Sequence, residues 1–170
     1  MKNKLYILCG IPFSGKTTLA KRLAEKLGFA RIDLDEVKFD LFNPNILDVE
    51  IDQSGWDRVY QEMYLRIKQV LENGETVVHD TGNFTKAERD LVKKIADQLN
   101  IETTTIFVDI PKEEALKRLL ENRITKKRFD VDMADFESTT KEMEPPTEDE
   151  KHLVFKWTDD VDGWILSLIK

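Results

Sequence analysis

The chain has 170 residues, 41% of them hydrophobic, which is enough for one compact domain with its own core. Charged residues make up 35% and sum to −7, a balance that argues against a broad nucleic-acid surface and against an anionic membrane as partner. A single cysteine, Cys9, rules out an intrachain disulfide framework. With no apolar run of bilayer length and no signal-peptide pattern, the expected setting is the cytoplasm.

The first expected element is a strand over 4–9, Lys4-Leu5-Tyr6-Ile7-Leu8-Cys9, whose apolar run suits a parallel strand covered on both faces. Gly10 to Thr17 follows as G-I-P-F-S-G-K-T and satisfies the phosphate-loop pattern G-x-x-x-x-G-K-[ST] at every fixed position. Leu19, Leu23 and Leu27, with Ala20 and Ala24, then mark one apolar helical face that Gly28 closes. A second strand over 29–33 ends in acid, and a short helix over 36–42 is broken by Asn43-Pro44-Asn45. Residues 46–55 read as irregular and exposed. The next helix spans 56–73, with Val59, Met63, Ile67 and Val70/Leu71 inward and Gly74 at its end.

A third strand covers 76–80 and a turn at Gly82-Asn83 follows. Thr85 and Glu88 have capping-box spacing and open a helix whose expected buried face is Ala87, Leu91, Ile95 and Leu99. A fourth strand covers 103–109, and Pro111 precedes a helix carrying Ala115, Leu116, Leu119 and Leu120. From 122 to 150 apolar periodicity weakens, first basic and then acidic, as a lid would read. A short strand over 153–155 and a helix over 161–169, anchored by Trp164, Ile165 and Leu168, end the chain. Alternating strands and helices imply an α/β three-layer sandwich on a five-stranded parallel sheet. The expected organisation is one domain over 1–170, with 122–150 as its lid.

Ligands of such sheets sit at the carboxyl ends of the strands. There Gly10 and Gly15 free the backbone, and the loop amides with the following helix N-terminus form an anion nest. Lys16 reaches the β- and γ-phosphates and the Thr17 hydroxyl suits Mg²⁺. The nucleotide is expected against Gly10, Pro12, Phe13, Ser14, Gly15, Lys16, Thr17 and Thr18, with Arg118. Asp80, ending the third strand, is the second magnesium candidate, with an Asx turn as its plainer role. Asp35 is the candidate general base and Asp33 its neighbour in the site; either also suits a helix cap. Arg123 and Arg128, with Arg118, offer guanidinium forks for the moving phosphoryl group. Lys38 and Arg89 are candidate clamps on the acceptor. Trp56 and Tyr60 read as core residues that also suit an acceptor pocket, and His79 and Cys9 as packed core.

With these residues in view the chain resembles the small P-loop kinases of the adenylate-kinase-like group. It is most similar to the branch with polynucleotide kinase, zeta toxin and chloramphenicol phosphotransferase, often described as AAA-type ATP-binding proteins. The stretches that carry the likeness are LYILCGIPFSGKTTLAKRLA, the D-E-V-K at 35–38, VVHDTGNFTKAER at 77–89, IFVDIPKEEALKRLLENR at 106–123 and PPTEDE at 145–150. The resemblance implies ATP with Mg²⁺ as donor and a hydroxyl as acceptor, and puts the base at Asp35. Three residues on, relatives often carry arginine where this chain has Lys38. Lysine gives up bidentate phosphate recognition, which turns the expectation from a polynucleotide toward a small-molecule or nucleotide acceptor. The alternatives are a polynucleotide 5′-hydroxyl kinase and an ATP-binding switch without transfer.

Overall fold

The computed structural model describes residues 2–128 and 130–168. Strands β1 (Lys4–Cys9), β2 (Ala30–Asp33), β3 (Val77–Asp80), β4 (Glu102–Asp109) and β5 (His152–Lys156) form one sheet in the order β2-β3-β1-β4-β5. All four pairings are parallel. Helices α1 (Lys16–Leu27), α2 (Leu34–Leu41), α3 (Gln53–Glu72), α4 (Lys86–Gln98), α5 (Lys112–Thr125), α6 (Met133–Glu142) and α7 (Val161–Ser167) complete the chain, with a 3₁₀ turn at Asp48–Glu50. The expected class, an α/β sandwich on five parallel strands, is therefore present. Of the last expected helix, Ile169 lies outside the described residues.

The period of two along β1 builds both layers. Leu5 and Ile7 face a core with Val37, Val59, Met63, Ile67 and Val92, beneath α2, α3 and α4. Tyr6 and Leu8 face the opposite core with Leu19, Leu23, Ile106, Val108 and Ile165, beneath α1 and α7. A third cluster joins Phe13 of the glycine-rich loop to Ile110, Ala115, Leu119 and Phe136. It ties the segment beyond α5 to the phosphate loop through Phe136, which is fully buried on α6.

Two expectations need correction. Helix α3 begins at Gln53, because Asp52 accepts the Gly55 N–H at 2.7 Å and caps it. Nearby Ile51 is buried, so 46–55 is not uniformly exposed. The capping box of α4 forms between Thr85 and Glu88 as its spacing requires. Its buried face, however, is Arg89, Val92 and Ala96, with Ile95 and Leu99 beside them, whereas Ala87 and Leu91 are exposed. Apolar periodicity could not show this, because the first inward residue of that face is an arginine. In the same way Leu120 stays exposed on α5 and Asn122 takes a buried place.

Candidate functional site

Strand β1 ends at Cys9 and the loop turns under the N-terminus of α1. Gly10 (φ +149°) and Gly15 (φ +109°) adopt backbone conformations that other residues avoid, and Phe13 is itself left-handed (φ +62°). A Cβ on Gly10 would stand 2.8 Å from the Val108 carbonyl oxygen and 3.1 Å from Ser14 Oγ. Gly10→Ala should therefore cost about 1–3 kcal/mol and weaken nucleotide binding at least tenfold; paired thermal melts and ATP titrations check both. Lys16, Thr17 and Thr18 occupy the first turn of α1, where main-chain N–H groups have no acceptor within the helix. That end suits an anion.

Lys16 Nζ donates to the carbonyls of Gly10 (2.7 Å) and Ile11 (2.9 Å) and lies 5.7 Å from the Phe84 ring centroid. Burial pulls its pKa down to about 8; Asp80 opposes that shift and Arg128 adds to it. Thr17 Oγ1 donates to Asp80 Oδ1 at 3.3 Å. Asp33 and Asp80 are register partners across β2 and β3, which brings two carboxylates together at the strand ends. Burial pushes the Asp33 carboxyl up to about 6, against the Glu36 N–H that favours its charged form. Burial also pushes the Cys9 thiol up to about 12, which leaves it inert as a nucleophile.

Arg31 was not singled out by the sequence. It sits between the acids, donating from Nε to Asp80 Oδ2 at 2.8 Å and from its other nitrogens to Asp33 and Glu36. Its signal was the strand period: residues 31 and 33 project from the same face of β2. Asn83, read from the sequence only as a turn residue, also has a structural part: its amide donates to the Leu8 carbonyl at 2.8 Å and faces His79 Nδ1 at 3.3 Å.

A cleft of about 260 Å³ gathers Pro12, Lys16, Thr17, Asp33, Asp35, Asp80 and Arg128. Asp33 is the N-cap of α2, with Oδ1 on the Glu36 N–H at 2.9 Å and Oδ2 on Arg31. Asp35 lies in the first turn, more exposed, with Lys38 Nζ 3.0 Å from its Oδ1. Arg128 lies 4.4 Å over the Phe13 ring, and Asn122 holds its backbone through two 3.0 Å bonds. Arg118 donates to the Ser14 carbonyl at 3.2 Å, bracing the loop from behind.

Three candidates fall elsewhere. Arg123 pairs with Asp130 and borders a separate basin of about 820 Å³, together with Lys126 and the outer side of Arg128. Lys38 is buried and pairs with Asp35 and Asp48, so it braces a cleft acid. Arg89 is 1% exposed and spends its guanidinium on Glu150 and on the Asn83 and Phe84 carbonyls, away from the cleft. Trp56 packs against the core, whereas Tyr60 is only partly covered, 40% of it exposed.

The donor set fits a magnesium nucleotide. One hydroxyl and one carboxylate side by side suit an ion that takes its other oxygens from phosphate and water. Among the described residues no group of three or more His, Cys, Asp or Glu side chains is placed to hold a metal without such help. Among them, too, no helix is long and apolar enough to cross a membrane.

Solved structures share the fold. A crystallised protein of Chloroflexus aurantiacus superposes with a TM-score of 0.78 at 18% identity, over 99% of this chain and 96% of that one. Kti12 of Chaetomium thermophilum, solved with ADP-AlF3, gives 0.75 at 19% identity over 97% and 96%. Among curated proteins, the L-seryl-tRNA(Sec) kinase of Methanococcus maripaludis is 30% identical over 123 residues, 69% of this chain. The match covers 45% of that kinase, so the chain spans under half the length of this relative. The profile of the AAA domain family AAA_33 matches residues 5–146, most of the sheet and both sides of the cleft. The chain belongs to that AAA domain family, on a P-loop kinase fold.

Proposed function

We propose that the protein is an ATP-dependent phosphotransferase that moves the γ-phosphoryl group of ATP to a hydroxyl of a small-molecule or nucleotide acceptor. The observation that carries this is the convergence of Lys16, the Thr17–Asp80 pair, Asp35 and Arg128 on one cleft at the carboxyl ends of parallel strands. The kinase named among its relatives supports a hydroxyl as acceptor.

The transfer forms a bond from the acceptor oxygen to the γ-phosphorus and breaks the bond to the β,γ-bridging oxygen; the hydroxyl proton goes to carboxylate. Asp35 is the acceptor of that proton and orients the hydroxyl, held by Lys38. The amides at the start of α1 and Lys16 grip the β- and γ-phosphates, and Arg128 meets charge on the outer phosphoryl from the opposite side. Thr17 and Asp80 would hold Mg²⁺, which when bound neutralises phosphate charge. Arg31 holds Asp80 in place through the 2.8 Å bond from its Nε. Arg118 braces the loop, and the segment 122–150, carrying Arg128, acts as the lid.

Transfer of label from γ-labelled ATP to a panel of sugars, nucleosides, amino alcohols and oligonucleotides tests the reading. Labelled product with the native chain and none with Lys16→Ala is expected. Release of label to water alone, with every acceptor present, would favour a switch without transfer.

Lys16 also makes nucleotide binding depend on pH. Phosphate favours the charged amine, so bound protein holds more protons than free protein above pH 8, where free Lys16 begins to lose its own. ATP carries constant charge there, its last phosphate pKa being about 6. Affinity should fall as pH rises from about 8, by up to tenfold per unit, with uptake of nearly one proton per ATP. Calorimetry at pH 9 in two buffers of different ionisation enthalpy reads that proton. Lys16→Arg, charged throughout, should take up none.

A further inference from the structure

Beyond Phe84 the phosphate cleft adjoins a second cavity, of about 150 Å³, and the two share Leu34, Thr81, Gly82 and Phe84 as lining. A space of that size takes a guest as large as benzene. Its floor carries no charge. His79 is fully buried, with Nε2 3.2 Å from Met63 Sδ and Nδ1 facing the Asn83 amide, and burial pulls its pKa down to about 3.

The walls have a different chemistry. Tyr60 and Tyr64 stand on one side from α3, with ring centroids 6.2 Å apart, and Glu88 stands on the other from α4. Burial raises the pKa of both phenols, and the Glu88 charge raises both further; Asp48 adds to the effect on Tyr60. Of the nearby cations, Lys38 is paired with Asp35 and Asp48, Lys86 with Asp90 and Asp149, and Arg89 with Glu150, while Lys16 is held by the Gly10 and Ile11 carbonyls 5.7 Å from the Phe84 ring centroid. Aromatic faces with a carboxylate attract a cation and repel an anion.

We infer that this cavity is the acceptor subsite and that it selects a small amino alcohol in its ammonium form. The inference rests on the kinase reading of the adjoining cleft. The ammonium lies among Tyr60, Tyr64 and Glu88, and the hydroxyl points past Phe84 toward Lys16 and the cleft acids. The hydroxyl oxygen bonds to the γ-phosphorus, the β,γ-bridging P–O bond breaks, and the proton passes to Asp35. The products are ADP and the O-phosphate of the amino alcohol, its ammonium unchanged.

Glu88 offers a clean test. Its Oε2 also accepts the Thr85 N–H at 2.8 Å, and glutamine fills that capping position equally well, so Glu88→Gln removes the charge and keeps the helix start. The full chain, loaded with ADP and Mg²⁺, is titrated calorimetrically with 2-aminoethanol, with neutral ethylene glycol and with anionic glycolate. The amine should bind at least about tenfold more tightly than the diol, and glycolate weakest. Glu88→Gln should remove the preference for the amine with ADP affinity unchanged, and Tyr64→Leu should weaken the amine as well. Equal binding of the diol, preference for glycolate, or no heat from any of the three at roughly 10 mM overturns the inference. In the last case, ADP binding by the same sample leaves the phosphate-cleft reading standing, whereas absence of ADP binding removes both.

Discussion

Replacing Asp35 with asparagine should lower the rate of phosphoryl transfer by about 10²–10⁴-fold and leave ATP affinity within about twofold. Asparagine keeps the shape of the side chain and its place in the first turn of α2 but cannot accept a proton at neutral pH. Lys38 loses one of its two acid partners and keeps Asp48, so the helix should hold. Asp33 is the rival base, because its carboxyl is pushed up to about 6, close to working pH. Geometry counts against it. One oxygen caps α2 through the Glu36 N–H and the other receives Arg31, so accepting a proton would undo an established hold. Asp33→Asn retains the cap, since asparagine caps as well as aspartate, and should cost under tenfold in rate. A pH profile separates the two. With Asp33 as base, transfer would fall as pH drops through about 6, and Asp33→Asn would erase that inflection. Full-rate transfer by Asp35→Asn would remove it from the mechanism.

The parallel strands, the phosphate loop and the helix faces of α1 and α3 were legible because each rests on a local rule, whereas the strand order is set by pairings between distant segments. Those rules are a fixed spacing of glycine, lysine and threonine, a strand period of two and a helical period near 3.6. The acids were legible as a set because parallel strands deliver their carboxyl ends to one edge. Partnership was not legible. Arg31 binds Asp80 across 49 residues and Arg89 binds Glu150 across 61, and nothing in the spacing of either pair announces it. Arg123 and Arg128 look alike in sequence. What separates them is the left-handed Lys126 (φ +48°) that ends α5, after which Arg128 turns onto Phe13. The pairing of Lys38 with Asp35, by contrast, follows from spacing, because a helix places residues three apart side by side.

Arg89→Met should destabilise the protein by about 3–5 kcal/mol, because it strands a carboxylate whose partner was buried with it. For a chain of this length that is a fall of roughly 6–20 °C in Tm. Arg89 meets Glu150 through two parallel bonds of 2.7 and 2.8 Å, both side chains nearly out of water. The pair straps residues 144–151 across α4, aided by the Glu144 N–H on the Phe84 carbonyl and by the Lys151 carbonyl on the Thr105 N–H. Two further tests identify the mechanism. Arg89→Met with Glu150→Leu should recover most of the loss, since an apolar pair of similar volume needs no partner charge. The loss should also depend on pH with a defined sign. In the native chain the Arg89 bond holds the Glu150 carboxyl below its usual 4.5, so its stabilisation is present above that pH and fades as pH falls below it. In Arg89→Met, burial without the guanidinium raises that pKa, and protonation relieves the stranded charge. The gap in Tm between native and variant should therefore be larger at pH 8 than at pH 4.5. Equal gaps, or a double variant no better than the single one, would mean that the packing of the arginine stem, and not its charge, holds the strap. Either mechanism has a consequence for the site, because Arg89 also grips the carbonyls of Asn83 and Phe84. Loosening it frees the ring that stands between the phosphate cleft and the cavity beside it, so transfer should decline at temperatures where the variant is still folded.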